Sequence, residues 1–92
     1  MIKSFKHKGL SKFYIDNASY ALNAKDLPKI TQILDRLSEA LIVKDMNIPG
    51  WDLHELKGDR KGVWSVYVRK NWRITFRFDK GHAYDVNWED YH

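Results

Sequence analysis

Three groups of side chains in this sequence are of the types that phosphodiester transfer without a metal requires. His54 stands three residues before Lys57, Arg73 lies in an alternating segment, and Tyr91-His92 follow Asp90 at the end of the chain. Such a reaction needs a hydroxyl to lose a proton, fixed positive charge to stabilise the phosphorane, and a departing oxygen to gain a proton. Histidine titrates near neutral pH, whereas arginine and lysine keep their charge. Each residue also has an ordinary reading: a surface histidine, a solvated arginine on a strand, a frayed terminus. His7 and His82 have no partners at useful spacing and read as surface residues. There is no cysteine, so disulfides, thiolate metal sites and thiol nucleophiles are excluded. The four histidines and scattered carboxylates match no metal-ligand spacing, and the expectation is a site without metal or cofactor.

The charge distribution marks where a polyanion would bind. The chain has a formal net charge of +4, and residues 57–77 hold seven basic side chains against the single acid Asp59. Lys57, Arg60, Lys61, Arg69, Lys70 and Arg77 in this block are the candidate RNA-binding residues, with Trp64, Tyr67 and Trp72 interleaved as base-stacking surfaces. The competing account is a solvated sheet face. Residues 1–13 carry four lysines and no acid, while 14–56 are net acidic.

The elements that would position these residues follow from periodicity. Ile2 to Phe5 can form a short strand, and Leu10, Phe13 and Tyr14 suit a short helix that breaks near Asp16-Asn17. A second helix, capped by Asn23 or Asp26 with Pro28 in its first turn, carries an apolar stripe of Leu27, Ile30, Ile33, Leu34, Leu37 and Leu41. Asn47-Ile48-Pro49-Gly50 ends the helical part. Val63 to Val68 reads as a strand, with a turn at Lys70-Asn71. Arg73 to Phe78 alternates, with Ile74, Phe76 and Phe78 on one face and Arg73, Thr75 and Arg77 on the other. Asp79-Lys80-Gly81 is a hairpin turn, and His82 to Trp88 returns. The expected fold is α+β: a strand, two N-terminal helices, then an antiparallel meander with the helices on one face. Residues 1–92 form a single domain.

Four stretches carry a family resemblance: Met1 to Leu10, Leu53-His-Glu-Leu-Lys-Gly-Asp59, Trp72 to Phe78, and Asp90-Tyr-His92. They resemble the HigB toxins of the RelE/ParE superfamily, over nearly the whole chain. The resemblance implies a RelE-like fold and an endoribonuclease that cuts messenger RNA on the ribosome. It also implies a helix-turn-helix antitoxin partner of the HigA type, through which alone operator DNA is met. His54, Lys57, Arg73, Asp90, Tyr91 and His92 then fall on the family's active-site positions. Arg73 and Lys57 would face the phosphate, His54 and His92 would be acid and base in an undecided order, Tyr91 would stack on or orient a base, and Asp90 would set a tautomer or take the proton. Residue 55 is glutamate where many relatives have proline, and its carboxylate either acts on His54 or points away. Within the superfamily a ParE-like toxin that binds gyrase and cleaves nothing stays open, as does a non-catalytic RNA-binding module. No membrane-length apolar run or secretory leader is visible, which leaves the cytoplasm as the expected location.

Overall fold

A computed structural model describes residues 1–91. Two α-helices, α1 (Lys8–Asp16) and α2 (Leu27–Glu39), precede four strands, β1 (His54–Glu55), β2 (Val63–Arg69), β3 (Trp72–Asp79) and β4 (His82–Asp90). The strands lie in the order β1-β2-β3-β4 and every neighbouring pair is antiparallel. The fold is therefore α+β, as the periodicity predicts.

Each helix ends for a local reason. Asn17, in the left-handed conformation with φ 57°, stops α1. The α2 stripe buries Ile30, Ile33, Leu34 and Leu37 against Val66, Ile74, Phe76 and Val86 of the sheet. Leu41 does not join it and is 77% exposed. The cause is Asp45, whose carboxylate accepts from the Leu41 and Ile42 amides at 2.9 and 3.3 Å and draws the chain off the helical path after Glu39. Those amides also hold the Asp45 carboxyl below its ordinary value. A short 3₁₀ turn, Val43–Met46, follows, and Met46 and Trp51 enter the core in place of Leu41.

The expected first strand is not continuous. Ile2 and Phe5 make isolated parallel bridges to Ala83 and Val86 of β4. Between them Asp85 has φ 53°, and its amide donates to the Ser4 hydroxyl instead of to a strand partner. This bulge interrupts the ladder that a full edge strand would need. The β3–β4 turn agrees with the sequence: Lys80 and Gly81 both have positive φ, 49° and 81°, as a two-residue hairpin turn demands.

Candidate active site

The two faces of the sheet differ as alternation requires. Ile74, Phe76 and Val86 face the helices and are fully buried. Opposite residues of an antiparallel pair share a face, so the registers His54↔Ser65, Ser65↔Thr75, Tyr67↔Arg73, Arg73↔Glu89 and Thr75↔Asn87 assemble one polar face from all four strands. Thr75 and Ser65 are nonetheless buried on it, because charged side chains lie across them.

Asp52 stands at one edge of this face. Trp51 is buried, donates its amide to Ile48 at 2.9 Å and accepts the Tyr67 amide on its carbonyl at 2.7 Å. The chain is thereby fixed just before β1, and Asp52 takes a left-handed conformation with φ 48°. The Arg73 guanidinium donates to the Asp52 carboxylate at 2.8 Å and to the Ser65 hydroxyl at 3.2 Å, and lies 5.6 Å from the Tyr67 ring centre. The Arg73 hydrogen bond holds the Asp52 carboxyl below its ordinary value. His54 places Nδ1 3.0 Å from the Asp52 carbonyl oxygen and 3.8 Å from its carboxylate. The Lys29 ammonium lies 5.0 Å from the Tyr67 ring centre on a bond to the Val68 carbonyl, and burial lowers its pKa.

His54, Glu55, Leu56, Lys57 and Tyr91 line an open groove of about 240 Å³. Lys57 is exposed, and Tyr91 is fixed by its amide, which donates to the Asn71 carbonyl at 2.7 Å. The chain end is thus tied to the β2–β3 turn as far as Tyr91. His92, the remaining sequence-assigned residue, lies outside the described residues. A larger cavity, about 640 Å³, sits on the helix side between α2 and residues 45–51 and contains none of the assigned residues. Among the described residues no three histidine, aspartate or glutamate side chains gather to hold a metal.

The assigned residues do not all share this face. Asp90 pairs with Trp72, one residue out of phase with Arg73↔Glu89, so its side chain leaves the sheet on the opposite face from Arg73. Glu55 is likewise out of phase with His54, and its carboxylate accepts the Gly62 amide at 2.8 Å: it points away from the histidine. Arg60 is paired within the protein. It grips Glu89 through two bonds of 2.9 and 2.6 Å, and Glu89 also accepts from Thr75. Arg60 chiefly holds the Glu89 carboxyl below its ordinary value, and Glu89 in turn raises Arg60. Arg69 is bound to the buried Asp26 at 2.5 Å. Lys57, Lys61, Lys70 and Arg77 remain exposed. His7, read as a surface residue, caps α1 by accepting the Leu10 amide at 3.0 Å. His82 is only partly exposed, and its Nδ1 is buried.

Asp52, Ser65 and Glu89 were not singled out from the sequence. Alternation along 63–69 could have placed Ser65 and Tyr67 beside Arg73, but no local pattern announces Asp52.

Comparison with known proteins identifies the family of this fold. Residues 3–92 match the family model for the RelE-like toxin of the type II toxin-antitoxin system, HigB. The chain is 47% identical over 92 residues to Endoribonuclease HigB of Proteus vulgaris, covering all of both chains. It is 32% identical over 85 residues to Toxin HigB-1 of Vibrio cholerae serotype O1, covering 90% of each. The fold resembles that of a YafQ mutant from E. coli with a TM-score of 0.51 at 12% identity, over 96% of this chain and 91% of that one. The chain belongs to the HigB-like, RelE-like toxin family of type II toxin-antitoxin systems.

Proposed function

We propose that this chain is an endoribonuclease toxin that cuts messenger RNA on the ribosome by attack of a 2′-hydroxyl on the adjacent phosphate. One observation carries the reading: His54, which lines a groove with Lys57 and Tyr91, is held by Asp52, the residue that also holds Arg73 on the same face of the sheet. Arg73 and Lys57 offset the charge that develops on the phosphorane. The Asp52 carbonyl can only accept, so a neutral His54 carries its proton on Nδ1 and keeps the Nε2 lone pair for proton transfer. Tyr91 offers a ring at the groove wall for a base, and His92 is the second candidate for proton transfer. Both ends of the reaction need only side chains of this chain, with neither metal nor cofactor.

The 47% identical relative named an endoribonuclease supports cleavage over the gyrase-binding alternative. A type II toxin has an antitoxin partner, and here it is a HigA-like helix-turn-helix protein that brings the pair to operator DNA. The site of action is the cytoplasm. Among the described residues no helix is long and apolar enough to cross a membrane.

The test is to map RNA 5′ ends after brief induction in growing cells and to analyse the 3′ ends of the same fragments. Cuts within translated frames that leave 2′,3′-cyclic or 3′-phosphate ends are expected. Free 3′-hydroxyl ends would point to an activated water instead.

A further inference from the structure

We propose that Asp52 is a positioning residue that sets two reacting side chains at once, Arg73 through its carboxylate and His54 through its backbone carbonyl. The inference rests on reading this groove as the ribonuclease site, and concerns how that site is held in shape.

Three observations support it. Asp52 keeps a left-handed backbone conformation, φ 48°, which residues with a side chain rarely adopt. Aspartate and asparagine are among the few that tolerate it. The residue follows the anchored Trp51 and stands two positions before His54, the first residue of β1. In this conformation the carbonyl meets His54 Nδ1 at 3.0 Å while the carboxylate of the same residue meets Arg73 at 2.8 Å.

The second observation is the asymmetry of the ion pair. The Asp52 side chain is 64% exposed and that of Arg73 only 14%. An exposed carboxylate has water for its partners and gains little stability from an ion pair. Arg73 is the group that is fixed, between Asp52, Ser65 and the Tyr67 ring. The third observation is that Glu55, the other acid next to His54, is turned to Gly62. Asp52 therefore supplies the carboxylate at 3.8 Å from Nδ1 when His54 takes a proton on Nε2. Small errors in such geometry are costly, since a displacement of about 1 Å can slow a reaction by the order of 10²-fold.

Two variants separate the side chain from the backbone. Asp52→Gly keeps the left-handed turn and the carbonyl but deletes the carboxylate, whereas Asp52→Asn keeps both the turn and an acceptor for Arg73. With programmed ribosomes and messenger RNA as substrate, Asp52→Gly should lower kcat about tenfold or more with KM changed less than about twofold. Asp52→Asn should restore most of the loss. Nitrogen-15 NMR of the free protein should find neutral His54 as the Nδ1–H tautomer in wild type and in both variants. The Arg73 guanidinium signals should be ordered in wild type and in Asp52→Asn, and averaged by rotation in Asp52→Gly. An unchanged or raised kcat in Asp52→Gly overturns the inference, as do an equally ordered Arg73 in that variant and an Nε2–H tautomer in wild type. If the wild-type protein cuts no RNA, the ribonuclease reading fails while the NMR results still decide the positioning role.

Discussion

Two aspartate–arginine pairs in this molecule use the same chemistry to opposite ends. Between α2 and the end of β2, Asp26 is 3% exposed and is bound by Arg69 at 2.5 Å. At the groove, Asp52 is 64% exposed and binds Arg73, whose side chain is 14% exposed, at 2.8 Å. In the first pair the acid is buried and the arginine satisfies it, so the pair ties the start of the helix to the sheet. In the second the arginine is enclosed and the acid, open to solvent, holds it in position. Which partner is buried decides whether a pair serves the fold or the site.

The largest effect expected at either pair is on catalysis. Arg73→Ala should reduce cleavage by the order of 10²-fold or more, since a fixed charge is removed from the phosphorane. Its position does not make it a neutral surface change. Loss of the guanidinium leaves the buried Ser65 hydroxyl without that donor, and about 1–2 kcal/mol of stability should go with it. Rate measurements and urea denaturation on the same preparation would show both, and an active Arg73→Ala protein removes the phosphate role.

At the other pair the order is reversed. Arg69→Ala should cost about 3 kcal/mol, because it strands a buried carboxylate, while the folded fraction keeps its cleavage rate. Replacing both partners with apolar residues, Asp26→Leu with Arg69→Met, should recover most of that stability. A loss of RNA binding in the folded Arg69→Ala protein, with its denaturation midpoint intact, would break the comparison and return Arg69 to the RNA surface.

The smallest effect concerns the Arg60–Glu89 pair, whose acid lies between the other two in exposure at 17%, with the Arg60 side chain 35% exposed. Glu89 has its folded pKa depressed, first by Arg60, from an ordinary value of 4.5. Its stabilisation is therefore present above that value and is lost as pH falls through the lower folded one. Acid titration of wild type should show this loss beginning near pH 4.5, and Glu89→Gln should flatten it. An identical acid profile in the two proteins would mean that the Arg60–Glu89 pair contributes nothing to stability.

Much of the molecule was legible in order along the chain. The stripe of Ile30, Ile33, Leu34 and Leu37 and the alternation from Arg73 to Phe78 each report a burial direction that three or four neighbouring residues already specify. The stripe failed at Leu41, where Asp45 captures two amides from four and three residues away. The first strand failed because a bulge at Asp85, more than eighty residues distant in sequence, denies it a continuous partner.

The candidate site divides in the same way. His54, Lys57, Arg73 and Tyr91 were found from residue type and motif, but Asp90 and Glu89 differ by a single step along a strand, and only the pairing of β3 with β4 shows which of them shares a face with Arg73. By itself the sequence determined the fold class, the basic strand face and the residue types available for proton transfer and phosphate binding, because each is a property of composition or local period. Tertiary structure alone decided that Arg69 and Arg60 are occupied and that Asp52 joins Arg73 to His54. Those outcomes depend on which charges meet across distant segments, and a chain's local pattern carries no record of its long-range partners.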